Sequence, residues 1–89
     1  MGLIYVILVY DVSVDRVTKV NRFLKRYLIW IQNSVFEGDI RESTLENLVK
    51  GIKKIIEPDD RILIYELKSE TYLDRIKIGK QDQDIHNVI

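Results

Sequence analysis

The chain has 89 residues, 46% of them hydrophobic and 31% charged, with 14 basic and 14 acidic side chains and a formal net charge of zero. That composition excludes a disordered or low-complexity chain, and the length fits one small domain. With no cysteine there is neither a disulfide framework nor a thiolate metal site, and the neutral total argues against attachment to nucleic acid by bulk positive charge.

The first element is Leu3 to Tyr10, a β-branched and aromatic run that does not alternate. It reads as a central strand covered on both faces. Its eight residues fall far short of the roughly 20 that span a bilayer, and it lacks the flanks of a signal peptide. No membrane attachment and a cytoplasmic location are therefore expected. Asp11-Val12-Ser13-Val14-Asp15 breaks the strand and offers Ser13 or Asp15 as a helix N-cap.

From Arg16 to Leu28, Val17, Val20, Phe23, Leu24, Tyr27 and Leu28 share one helical face, an arc of roughly 140°. Lys19, Arg22, Lys25 and Arg26 take the opposite arc, and no acid interrupts the cations between Arg16 and Arg26. Strand chemistry returns at Ile29 to Phe36. Glu37-Gly38-Asp39 then marks a turn or bulge in which Gly38 is free to take positive φ. Residues 29–41 read either as one bent strand or as a hairpin.

Ser43-Thr44-Leu45-Glu46 has the spacing of a capping box. It opens a second amphipathic helix through Leu45, Leu48, Val49, Ile52, Ile55 and Ile56, which Pro58 is expected to end. Arg61 to Leu67 forms another strand after the Asp59-Asp60 turn. Ile76-Lys77-Ile78 is a candidate for a further strand. The polar tail closes on Ile85-His86-Asn87-Val88-Ile89.

Strand, helix, strand or hairpin, helix, strand is the order of a ferredoxin-like βαββαβ domain in the α+β class, an antiparallel sheet with two helices on one face. The expected domain covers residues 1–79, with a tail over 80–89. One sheet face is left bare although the first strand is apolar on both sides, which predicts that two copies stack sheet on sheet. Ile85, Val88 and Ile89 are expected to add a strand to the partner's sheet edge.

Asp11 is the foremost candidate for chemistry. A carboxylate just after a buried strand sits at a rigid rim near water. The plain reading is an aspartate that starts a turn; the functional one is a ligand for Mg²⁺ or another divalent cation, shared with its copy across a two-fold axis. The helix cations have the same two readings, a solvated face or a phosphate-binding one. Tyr10, Trp30 and Phe36 suit core or dimer contacts better than base stacking. His86 reads as a surface residue of the tail. Nothing in the chain has the spacing of a phosphate-cradling glycine loop or of a serine–histidine hydrolase.

Tyr10-Asp11-Val12-Ser13 after an apolar strand, and Gln32-Asn33-Ser34-Val35-Phe36-Glu37-Gly38 further on, resemble the two signatures of the CRISPR-associated Cas-two (Cas2) family. Glu57-Pro58-Asp59-Asp60 and the strand after it fit the same pattern, and the likeness extends over about residues 2 to 79. The resemblance implies a ferredoxin-like homodimer acting as a metal-dependent endonuclease on RNA or DNA within the spacer-acquisition complex. Asp11 would be the metal ligand and Tyr10 its catalytic neighbour. Arg16, Lys19, Arg22, Lys25, Arg26 and Ser34 would face nucleic acid, and Phe36 would serve the structure or the dimer. It equally implies the alternative of a non-catalytic scaffold that binds duplex DNA and bridges dimers of the Cas-one integrase. A related ribonuclease toxin is a further one. Some members carry an arginine where this chain has Trp30, a departure that leans toward the scaffold.

Overall fold

The computed structural model describes residues 2–80; the tail over 81–89, with the expected contacts of Ile85, Val88 and Ile89, lies outside them. The elements run β1 (Ile4–Asp11), α1 (Val14–Leu24), β2 (Ile29–Gln32), β3 (Val35–Ile40), α2 (Glu42–Lys53) and β4 (Arg61–Leu67), followed by a 3-10 turn at Glu70–Tyr72. The sheet order is β2-β3-β1-β4. β1 is antiparallel to both its neighbours, with Leu8 opposite Phe36 on one side and Ile64 on the other. This is the ferredoxin-like arrangement.

Strand alternation divides β1 between two environments. Val6, Leu8 and Tyr10 join Phe36 and Ile40 of β3 beneath Val20 and Leu24 of α1 and Leu48 and Ile52 of α2, and all are buried. The helices approach closely where a Cβ on Gly51 would overlap the ring of Phe23. Leu28, just before β2, completes this core.

Residues 29–41 form a hairpin, which settles the choice the sequence left open. Its turn is not at Gly38, however. Asn33, with φ of 41°, turns the chain together with Ser34, as asparagine's tolerance of the left-handed region allows. Gly38 is an ordinary buried member of β3, opposite Val6, where a Cβ would stand 3.3 Å from Leu28 Cδ2. The irregularity lies instead in β2, whose register shifts between Trp30 and Gln32.

Four further expectations need correction. Helix α1 begins two residues early, at Val14, and tightens into turns after Leu24. Helix α2 begins at Glu42, so Ser43 already lies inside it, and no side chain caps its N-terminus. It also ends before Pro58, through bonds from the amides of Lys54, Ile55 and Ile56 to Gly51 and Ile52. Residues 73–80 hold no strand, and Ile76 and Ile78 are almost fully exposed.

The face away from the helices carries Ile7 and Val9 of β1, Val35 of β3 and Leu63, Tyr65 and Leu67 of β4. Leu63 is 46% exposed and Tyr65 56%. At one end of this face Tyr5 donates to Glu37 Oε1 at 2.7 Å, and Arg75 pairs with the same oxygen. Burial, and next the bond to the Glu37 carboxylate, push the Tyr5 hydroxyl up to about 12 from 10.0. The folded chain thus binds this proton more tightly than the unfolded one. The associated stability, at most about 3 kcal/mol for two pKa units, is complete below pH 10 and is lost as the pH rises to 12. Tyr5→Phe is expected to flatten the fall in urea midpoint between those pH values. An equally steep fall in the variant would assign it to other groups.

Candidate functional site

The site is assembled at the end of β1, where four segments meet. Asp11 is the last residue of the strand, exposed, and opposite Arg61 of β4 on the bare face of the sheet. Directly opposed residues of an antiparallel pair hold their Cβ atoms roughly 5 Å apart, so the two side chains leave the sheet at one level, although among the described residues they form no salt bridge. Arg61 was read from sequence only as the start of a strand. Nothing in its spacing marks it, because its place beside Asp11 follows from strand register.

Tyr10, by the same alternation, leaves the strand on the other side. Its ring is buried against Phe36 at 6.3 Å between centroids. This corrects the expectation of a catalytic Tyr10 lining the site: its side chain belongs to the core. Its backbone amide does serve the site, donating to the Ser34 carbonyl at 3.1 Å and holding the β2–β3 turn against the end of β1. Ser34 therefore lies at the rim, half-buried, and Phe36 is wholly within the core.

Asp60, just ahead of β4, organises the rest. Its carboxylate accepts from Arg16 Nε at 2.6 Å and Nη2 at 3.0 Å, from the Ser13 amide at 3.0 Å and from the Glu57 amide at 2.9 Å. The side chain is only 2% exposed. The Arg16 guanidinium, aided by the two amides, holds this acid well below the usual carboxylate range against the cost of its desolvation, and the bond raises Arg16 in turn. Bidentate pairing of this kind is strong and directional. It fastens the loop after β1, the first turn of α1 and the start of β4 to one point. Arg16, expected to meet phosphate, is instead committed to Asp60. Sequence reasoning gave Asp60 a turn and no more, since its partner lies 44 positions away.

Lys19 and Arg22 of α1, and Lys25 and Arg26 in the turns that follow it, are available. Among the described residues none of Lys19, Arg22, Lys25 and Arg26 joins a salt bridge, and all four are exposed. Lys25 places its Nζ 4.7 Å from the centre of the Trp30 ring, within cation–π range. Asp11, Arg61 and Ser34 are thus gathered at one rim, while the helix cations occupy the outer layer beside it.

Among the described residues no three His, Asp or Glu side chains converge on a common point. A protomer alone therefore offers a metal little beyond the Asp11 carboxylate. That suits a hard, hydrated cation such as Mg²⁺, which keeps several waters and is commonly held by one or two carboxylates. A second copy of Asp11 would fit as the other ligand.

The family model described as CRISPR associated protein Cas2 matches residues 4–75. A CRISPR-associated endoribonuclease Cas2 of Archaeoglobus fulgidus is 44% identical over 78 residues, which is 86% of this chain and 85% of the relative. The Pyrococcus furiosus CRISPR-associated endoribonuclease Cas2 is 50% identical over 66 residues, 73% of this chain and 78% of that one. A solved Cas2 crystal structure superposes with a TM-score of 0.88 at 40% identity, covering 99% of this chain and all of its own. Among the described residues no helix is long and apolar enough to cross a membrane.

Proposed function

The chain belongs to the Cas2 family of CRISPR-associated proteins, and from that premise we propose that it is a homodimeric, divalent-ion-dependent endonuclease of the adaptation complex, working in the cytoplasm beside the Cas-one integrase. The observation that carries this reading is the exposed Asp11 carboxylate at the rim of an uncovered apolar sheet face, with Arg61 opposite it.

Two copies stacked through Val9, Leu63 and Tyr65 would bury that face and bring their Asp11 rims toward each other. The endoribonuclease names of its relatives favour RNA as substrate, with DNA as the other possibility. A bound divalent ion supplies Lewis acidity at the scissile phosphate and acidifies a water. The chain's own residues do the rest. Asp11 and its copy hold the ion, while Arg61 neutralises the phosphate in place of the committed Arg16. Ser34 offers a hydroxyl at the rim, and Lys19, Arg22, Lys25 and Arg26 draw in the backbone of the substrate.

The test is cleavage of end-labelled single-stranded RNA, single-stranded DNA and duplex DNA with Mg²⁺, with Mn²⁺ and with excess chelator. Cutting that needs a divalent ion, stops in chelator and returns with added metal is the expected result. Cutting that persists in chelator would overturn the metal-dependent reading. A second reading, the non-catalytic scaffold, is favoured by the loss of Arg16 to Asp60. It predicts duplex binding and co-purification with the integrase with no cleavage under any ion.

A further inference from the structure

Trp30 is the one tryptophan of the chain, and its placement is uneconomical for a folding residue. It is 48% exposed, and belongs neither to the buried core nor to the partly buried side chains packed against it. Opposed to Phe36, it projects on the helix side of the edge strand β2. Stacking of two copies through the bare face would therefore leave it uncovered.

Its orientation is nevertheless fixed. The indole Nε1–H donates to the Asn33 carbonyl at 2.9 Å, tying the ring to the β2–β3 turn. Lys25, the C-cap of α1 and still in helical conformation, stands over the ring, and Arg22 lies three residues before it in the last turn, on the same side of the helix end. An anchored, half-open indole beside cations that join no salt bridge among the described residues has the chemistry of a stacking platform beside a phosphate track, the combination by which single strands are held without sequence readout. From the sheet register, Trp30 stands two strands and three residue levels from Asp11, roughly 14 Å by strand spacing and rise. That separation lies in the plane of the sheet, and the two side chains leave opposite faces, so a single strand that meets both passes round the end of the sheet at the β2–β3 turn.

We propose that Trp30 stacks an unpaired nucleobase, with Lys25 and Arg22 meeting the adjoining phosphates, so that a single-stranded stretch of the substrate is gripped beside the Asp11 rim. The inference rests on the nucleic-acid reading above but concerns binding alone. It is therefore tested in chelator, where the metal-dependent cutting plays no part.

The experiment titrates the full-length protein with oligouridylate, oligothymidylate and a duplex DNA of equal length, following tryptophan fluorescence and, separately, the polarisation of a dye on the nucleic acid. Both single strands are expected to quench Trp30 saturably, with Trp30→Ala binding them about 10-fold more weakly and Trp30→Phe within about 3-fold of wild type. Duplex affinity should be unchanged by either substitution. Preference between oligouridylate and oligothymidylate tells whether the stacked strand is RNA or DNA. Single-strand binding by polarisation with no quenching, or with equal affinity in Trp30→Ala, would overturn the stacking role while leaving the nucleic-acid reading intact. No binding of any probe would overturn both.

Discussion

Asp11→Asn is expected to lower divalent-ion-dependent cleavage at least about a hundredfold while leaving the thermal midpoint unchanged. Asparagine keeps the shape of the side chain and removes its charge. The loss should be large because a bound ion contributes several kcal/mol of charge stabilisation in phosphoryl chemistry, and each 1.36 kcal/mol is a factor of about ten in rate. In the proposed symmetric site one substitution removes both protein ligands at once. The fold should not notice, since Asp11 is exposed at the last position of β1 and makes no salt bridge among the described residues. Raised Mn²⁺ should restore part of the rate if the damage is to ion affinity. A wild-type rate in the variant would remove Asp11 from the chemistry altogether.

The second large effect is on assembly. Leu63→Glu places a carboxylate in the middle of the uncovered sheet face, opposite Val9 of β1. In a two-fold contact the change enters twice, and each new charge loses water without gaining a partner, at an expected cost of several kcal/mol. Sedimentation should shift from a dimer's mass to a monomer's. Cleavage should fall with it, although every residue of the Asp11 rim remains. The protomer itself should stay folded, because Leu63 is already 46% exposed there. Tyr65→Glu, at 56% exposure, serves as an independent check. Variants that remain dimeric would show that the copies meet through some other surface.

Much of the scaffold was legible in the residues. The apolar run of β1, the stripe of Val20 and Leu24 and that of Leu48 and Ile52 announce two helices on one face of a sheet, because an unbroken β-branched run and a period of 3.6 residues are local properties. Asp11 was legible as a rim residue for the same reason. What could not be read was fixed by contacts between distant segments. The hairpin turn fell at Asn33–Ser34 and not at the glycine, since Gly38 is needed small and flat against Leu28. Tyr10 and Asp11 were expected to work side by side, yet neighbours in a strand point to opposite faces. Alternation could have shown this in advance. The commitment of Arg16 to Asp60 and the pairing of Arg61 with Asp11 had no local signature. One depends on a tertiary ion pair and the other on register.

The bond network around Asp60 bears on how this chain could vary over time. Connecting loops generally tolerate added or lost residues better than the elements they join. Here the short stretch from Glu57 to Asp60 has to deliver one acid to Arg16 and the Ser13 amide, and an insertion there would shift the start of β4 and, with it, Arg61. Length changes should therefore collect at the opposite end of the sheet, around Gly2 and Leu3 and in the stretch after Leu67, while this connection keeps its length.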